Sequence, residues 1–508
     1  MKNRNYILGA FLVIFALLAQ SCEKLLETDS PQDLDASKAL KTKAGVNAAV
    51  IGLYDYLQST RMYGRDLFAI PEALADNGRA TGNSGRFNGE AVNLPNVHMV
   101  NWQTSYFLIN QANLIIDNLK KGQIPELDAA DSTIIQGECL FLRALTYFDL
   151  IKTFAYIPSN KSIPASQDFG GVPLVLTGVD DQKQIAYPAR AATADVYAQI
   201  YRDLDSCIAT FSSLPVIVDK QPKGSPNGRG RAYANRTAAQ ALYSRVALYN
   251  GDYATSTRFA NAAIGANVVT LSTTANYLSD WRARVHPEAF FDLNFEQITE
   301  SQGPNESMQT AYTTLSAPGV RTFAQGFGDL VPTASMLSAL GITLTGTTVN
   351  RGADVRALVY ELGSAGRATP NVECTKFIGK NGFANQDNIP VLRISEQYLN
   401  RSEAYFNLGK RDSAILSLNT IRVRAGLPAV SDTSAVVVGN NLLEEILLQR
   451  RIELAFEGHR FWDLKRLGRG ITKPAPAANL PGTDYRFLAN IPLRELSANP
   501  NLKQNFGY

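Results

Sequence analysis

Cysteine is scarce in this chain, with four among 508 residues, and Cys139, Cys207 and Cys374 lie far apart. That scarcity excludes the dense disulfide framework of small secreted domains and the C-x-x-C pairs of a structural zinc site. Cys139 and Cys207 fall within helical patterns, where a small buried hydrophobe is expected, and no structural disulfide is predicted. Histidine is scarcer still. The three present, His98, His286 and His459, do not form the H-E-x-x-H spacing of a metallohydrolase. No phosphate loop or G-x-S-x-G elbow occurs either, so the chain predicts no metal, no cofactor and no catalytic set. A net charge of +3 gives none of the concentrated basic surface that nucleic acid requires. Three tryptophans are too few for a broad aromatic stacking platform.

What is present starts at the N-terminus. Lys2 and Arg4 precede an apolar run over residues 6–19, shorter than the roughly 20 residues of a membrane span. Such a run reads as an export signal. Ala19-Gln20-Ser21-Cys22 resembles a bacterial lipobox, in which the cysteine thiol is diacylated after export. The expected organisation is a signal peptide over residues 1–21, lipidation at Cys22 and an acidic tether over residues 22–36. A single domain over residues 37–508 follows. No later apolar run reaches spanning length.

Helical periodicity recurs over residues 40–58, 102–119, 132–154, 193–211, 235–250 and 252–264. Residues 238–264 and 399–421 share a grammar: a helix rich in alanine and aromatics ends near Gly251 or Gly409. A second helix follows, headed by Asp252 or Asp412, with Ala254 or Ala414 expected to face its partner. That is the helix pair of tetratricopeptide-like repeats. The expected fold is mostly α, a tetratricopeptide-like scaffold with long irregular ligand-binding loops and little β. The loops are residues 76–97, 156–188, 214–231 and a loop-rich insertion at about 266–350. Their aromatic content argues for packed binding loops rather than disorder.

Near the C-terminus, Asn441 and Glu444 offer a helix start, and LLEEILLQRRIELAFEGHRFWDLKRLGR predicts one continuous helix. Its alternating charges read as a solvated salt-bridge face. The run RRIELAFEGHRFWDLKRLG resembles the signature helix of the SusD/RagB family, E-R-x-x-E-[FL]-x-x-E-G-x-R-[FW]-x-D-L-x-R. The arginine of that pattern is Arg450 or Arg451, and Glu453, Glu457, Gly458, Arg460, Trp462, Asp463 and Arg466 fit. The closing NIPLRELSANPNLKQNFGY is similar to the family's C-terminus through Glu495, Asn499, Pro500, Leu502, Gln504, Asn505 and Tyr508.

The resemblance implies a surface-exposed, lipid-anchored protein of the outer membrane. It would bind oligosaccharides, or in some members peptides, and deliver them to a SusC-type TonB-dependent transporter. It would not be an enzyme, and the charges of the signature helix would be structural. A surface glycoside hydrolase is the alternative from another class; it needs two carboxylates set about 5–9.5 Å apart, and no motif marks such a pair. Sugar recognition needs stacking rings and hydrogen-bonding side chains on loops held by a rigid frame. The candidate ligand residues on that basis are Arg79, Asn83, Phe87, Asn88, Trp281 and Phe323. Trp102 and Trp462 are predicted to be core.

Overall fold

The computed structural model describes residues 39–122, 124–213, 230–366, 369–380, 382–439 and 441–508. The expected signal peptide, Cys22, the tether and most of the 214–231 loop lie outside those residues. No described helix is long and apolar enough to cross a membrane.

The scaffold is a ribbon of helices. It comprises α1 (Lys43–Gln58), α2 (Asp66–Leu74), α3 (Trp102–Lys121), α4 (Ala129–Phe154), α5 (Thr193–Ser212), α6 (Arg236–Asn250) and α7 (Tyr253–Gly265). Later in the chain come α8 (Tyr277–Arg282), α9 (Ile394–Asn407) and α10 (Arg411–Arg424). Helix α3 packs on α4, α4 on α5, α5 on α6, α6 on α7, α7 on α9 and α9 on α10. The first helix begins at Lys43 rather than residue 40 because the Thr42 hydroxyl caps it, accepting from the Gly45 amide at 3.1 Å.

Both expected repeat-like pairs form. α6 ends at Gly251 (φ +76°), and Asp252 then caps α7 by accepting from the Thr255 amide at 3.1 Å. Gly409 (φ +72°) separates α9 from α10. The small residues that let the helices close are Ser256 and Ala414. Ser256 donates to the Ser244 carbonyl at 3.0 Å, and Ser402 donates to the Ala414 carbonyl at 2.8 Å. Ala254, expected to face back, is exposed instead, because α7 begins with Asp252 as its cap and that phase turns position 256 inward.

Strands are short and antiparallel. They are β1 (Gly78–Ala80), β2 (Ala289–Leu293), β3 (Leu330–Pro332), β4 (Thr343–Thr345), β5 (Thr348–Asn350), β6 (Tyr360–Leu362), β7 (Val372–Cys374) and β8 (Ile389–Arg393). They pair as β1–β3, β2–β8, β4–β5 and β6–β7. The insertion at about 266–350 therefore carries α8 and four of these strands, more order than a loop-rich reading implied.

The C-terminal signature departs from expectation in two ways. It is not one helix but two, α11 (Asn441–Glu453) and α12 (Arg460–Arg466). Phe456 (φ +62°) and Gly458 (φ +76°) turn the chain between them. A side chain at Gly458 would lie 2.3 Å from the Leu67 carbonyl oxygen, so only glycine fits. The Gly458 amide donates to Glu72 of α2 at 3.1 Å. Nor do Asn441 and Glu444 act as expected: the Asn441 amide donates to the Ala435 carbonyl, and Glu444 pairs with Arg469 at 2.6 Å.

The second departure concerns the charges, which are buried rather than solvated. Arg450 meets Asp463 at 2.8 Å, and Arg466 forks onto Glu403 while also reaching Asp463 at 2.8 Å. Glu453 and Glu457 surround Arg393, the last residue of β8. Its guanidinium lies 2.8 Å from Glu457, 3.3 Å from Glu453 and 2.6 Å from Glu288. Arg424 adds a contact of 2.6 Å to Glu453, and Lys376 one of 2.6 Å to Glu457. Burial opposes ionisation of Glu453, yet Arg424, Arg393 and Arg356 hold its carboxyl well below the usual range.

Removing one partner of a buried ion network strands the others. Arg393→Ala should therefore cost about 3–5 kcal/mol of stability, measured by urea titration; a loss under about 1 kcal/mol would place the cluster's weight elsewhere. Asp292 of β2 is also fully buried, and desolvation pushes its carboxyl up to about 7 against the pull of Lys380 and Arg231. Between about pH 4 and 7 the folded carboxyl keeps a proton that the unfolded chain has released, so stability falls as pH rises through that window. Relative to wild type, Asp292→Asn should gain stability from about pH 4 to 7, by on the order of 4 kcal/mol, and level off above. A pH-independent difference between the two proteins would refute this.

Candidate functional site

β1 follows α2 directly and brings Arg79 to the edge of the molecule, with β3 beside it: Arg79 is paired in register with Val331. The loop after β1 is held by polar contacts to the 327–329 segment. Asn83 donates to the Phe327 carbonyl at 2.6 Å, Thr81 to the Gly328 carbonyl at 2.9 Å, and the Ser84 amide to Asp329 at 3.1 Å. Arg86 pairs with the buried Asp329 at 2.6 Å and lies 5.9 Å from the centre of the Phe327 ring. Glu306 joins Arg86 at 3.6 Å and also meets Arg65. These bonds make two irregular segments one surface.

A cleft of about 370 Å³ opens beside β1. Ala80, Val92, Pro474 and Pro476 form apolar walls, and Arg79 and Asn88 are polar groups on its lining. Asn88 is exposed at the head of the short helix Asn88–Ala91. Arg79 donates to Asn371, and partial burial lowers its pKa through desolvation. Phe323 stands 54% exposed on the neighbouring loop, whose Arg321 carbonyl accepts from Ser364 at 3.1 Å.

The six sequence candidates thus separate. Arg79 and Asn88 share the cleft; Asn83 braces its loop, and Phe323 presents a free ring face. Two expectations are corrected. Phe87 is buried, its ring 5.7 Å from the Arg65 guanidinium, because a left-handed backbone (φ +61°) turns it inward. Trp281 is fully buried: its ring roofs the cationic cluster, 4.6 Å from Lys376 and 5.1 Å from Arg393. Trp102 and Trp462 are core, as predicted. Asp329, Asn371 and the 474–477 segment shape the surface yet carried no local signal, since each acts through a partner distant in sequence.

With all three tryptophans buried, acrylamide should quench their fluorescence weakly, and a saturating ligand should leave the emission nearly unchanged. A large ligand-induced shift would mean that Trp281 reaches the ligand after all.

Residues 371–508 match a family model described as "SusD family", and residues 24–248 match one described as "Starch-binding associating with outer membrane". SusD-like protein P38 of Formosa agariphila is 25% identical over 100% of both chains. SusD-like protein P2 of the same organism is 24% identical over 97% of this chain and 98% of its own. Among solved structures, a SusD superfamily protein of Bacteroides thetaiotaomicron is 25% identical with a TM-score of 0.74, covering 91% of this chain and 98% of its own. A SusD superfamily protein of Bacteroides vulgatus, 24% identical, shares the fold at a TM-score of 0.75 over 92% of this chain and 99% of its own.

Proposed function

Because the chain belongs to the SusD/RagB family, we propose that it is a glycan-binding protein of the outer membrane. In this reading Cys22 carries the lipid anchor, the ligand face points outward, and captured oligosaccharides pass to a SusC-type TonB-dependent transporter. The observation that carries the binding role is the braced loop surface. It offers an exposed aromatic, Phe323, beside hydrogen-bonding groups and an apolar-walled cleft, on loops braced by hydrogen bonds.

Two of the acids behind this surface are held by neighbours. Asp329 is occupied by Arg86, and Glu373 accepts from both Thr313 and Thr314. A general acid must be free to reach a glycosidic oxygen, and these are engaged inside the wall. Peptide capture, the other family role, finds no feature of this surface that favours it over sugar.

The test is calorimetric titration of the soluble chain against a panel of oligosaccharides, with chromatography of the products. Phe323→Ala and Asn88→Ala, both at exposed positions, should weaken binding about tenfold, roughly 1.4 kcal/mol, without moving the melting temperature. Released monosaccharide would show a hydrolase instead. Cys22→Ala should abolish incorporation of labelled fatty acid; retained label would refute the anchor.

A further inference from the structure

Several guanidinium groups in this protein are neutralised by forked carboxylates. Arg143 forks onto Asp203 at 2.6 and 2.8 Å, and Arg245 onto Glu396 at 2.6 and 2.7 Å. Arg460 forks onto Asp76 at 2.7 and 2.9 Å. Where a half-buried arginine lacks a carboxylate, several acceptors share its donors, as with Arg190 on the carbonyls of Phe154, Gly170, Gly171 and Lys503 and on the Asn505 side chain. Arg79, also half-buried, has neither a carboxylate nor several acceptors. Its recorded acceptor is the neutral Asn371 amide, it forms no ion pair among the described residues, and it faces the 370 Å³ cleft. Burial raises the pKa of Glu90, on the short helix beside the cleft, with Asp66 adding to the shift and Arg65 and Arg61 opposing it.

The chemistry of the walls sharpens this. A neutral sugar presents hydroxyls that both donate and accept, so a site for it needs acceptors as well as donors. The cleft contains no carboxylate among its lining residues, and an arginine offers five N–H donors and no acceptor. Arg79 suits a group that only accepts and carries negative charge, while the Asn88 amide can both donate and accept and the apolar walls take ring surface. Planar N–H forks match oxyanions two bonds at a time, and such bonds are stronger than neutral ones.

We propose that the cleft beside β1 binds the anionic substituent of an acidic saccharide, a carboxylate or sulfate ester, with Arg79 as the charge-reading residue. This rests on the glycan-binding reading above and narrows its ligand class. Asn88 orients the ring that bears the anion, while Ala80, Val92, Pro474 and Pro476 exclude water from the contact. Phe323 lies outside the cleft and serves neutral and acidic ligands alike.

The experiment is calorimetric titration of the soluble chain with trigalacturonate, its methyl ester, and a sulfated galacto-oligosaccharide with its desulfated counterpart. Each is run against wild type, Arg79→Gln and Arg79→Lys. At least one acidic ligand should bind at least about tenfold more tightly than its neutral partner, and added salt should reduce that advantage. Arg79→Gln should erase the advantage, bringing acidic and neutral partners to the same affinity, and Arg79→Lys should restore part of it. Which pair shows the advantage separates carboxylate from sulfate. Neutral ligands that bind as well as acidic ones, or an advantage that survives in Arg79→Gln, would overturn the proposal and leave the glycan-binding reading standing. Failure of every sugar to bind the wild type would overturn both. Equal melting temperatures for wild type and Arg79→Gln tie any loss to the ligand.

Discussion

One guanidinium ties the β2–β8 strand pair to the helical scaffold. Arg393 ends β8 and immediately precedes α9, so it stands where the strand paired with β2 enters the helical scaffold. Around it gather Glu288 from beside β2, Glu453 at the end of α11 and Glu457 in the turn before α12. Lys376, just after β7, and Arg424, at the end of α10, complete the cluster. An ion placed there without partners would be prohibitively desolvated. These segments must therefore arrive together, and the cluster specifies how they meet more than it adds to stability.

The same device recurs where helix meets helix. Arg143 joins α4 to α5 through Asp203 and reaches Asn113 of α3 at 2.8 Å. Arg245 joins α6 to α9, and Arg466 joins α12 to α9. Small residues and apolar stripes let these helices approach at many rotations. A forked, fully buried pair accepts one. The C-terminus is tied in like manner, with Asn505 donating to the carbonyls of Phe154 and Ala489 at 2.9 and 2.7 Å.

Rigidity of that kind frees the loops to be irregular. Segments at 79–88 and 321–329 carry little regular structure, yet Arg86, Asp329, Asn83 and Thr81 stitch them into one face. A ligand meeting that face encounters side chains already in place, which reduces the ordering cost of binding. Trp281 illustrates the opposite assignment. A tryptophan in a loop-rich stretch suggests a stacking platform, but its quadrupole is used inside, facing Lys376, Lys380 and Arg393.

Local pattern was enough for the helices, because a 3.6-residue apolar period and the residues that cap it are written in neighbouring positions. The helix pairs at Gly251 and Gly409, the core roles of Trp102 and Trp462 and the family signature were all legible there. Three things were not. The signature reads as one amphipathic helix, and the bend at Gly458 is imposed by the Leu67 backbone, remote in sequence. Its charges look solvated because their counterions lie on other elements. The cleft at Arg79 needs Asn88 from one segment and Pro474 from another near the far end of the chain. Periodicity reports which side of an element is apolar; only the packed chain decides what each side meets, since burial and charge pairing depend on distances through space.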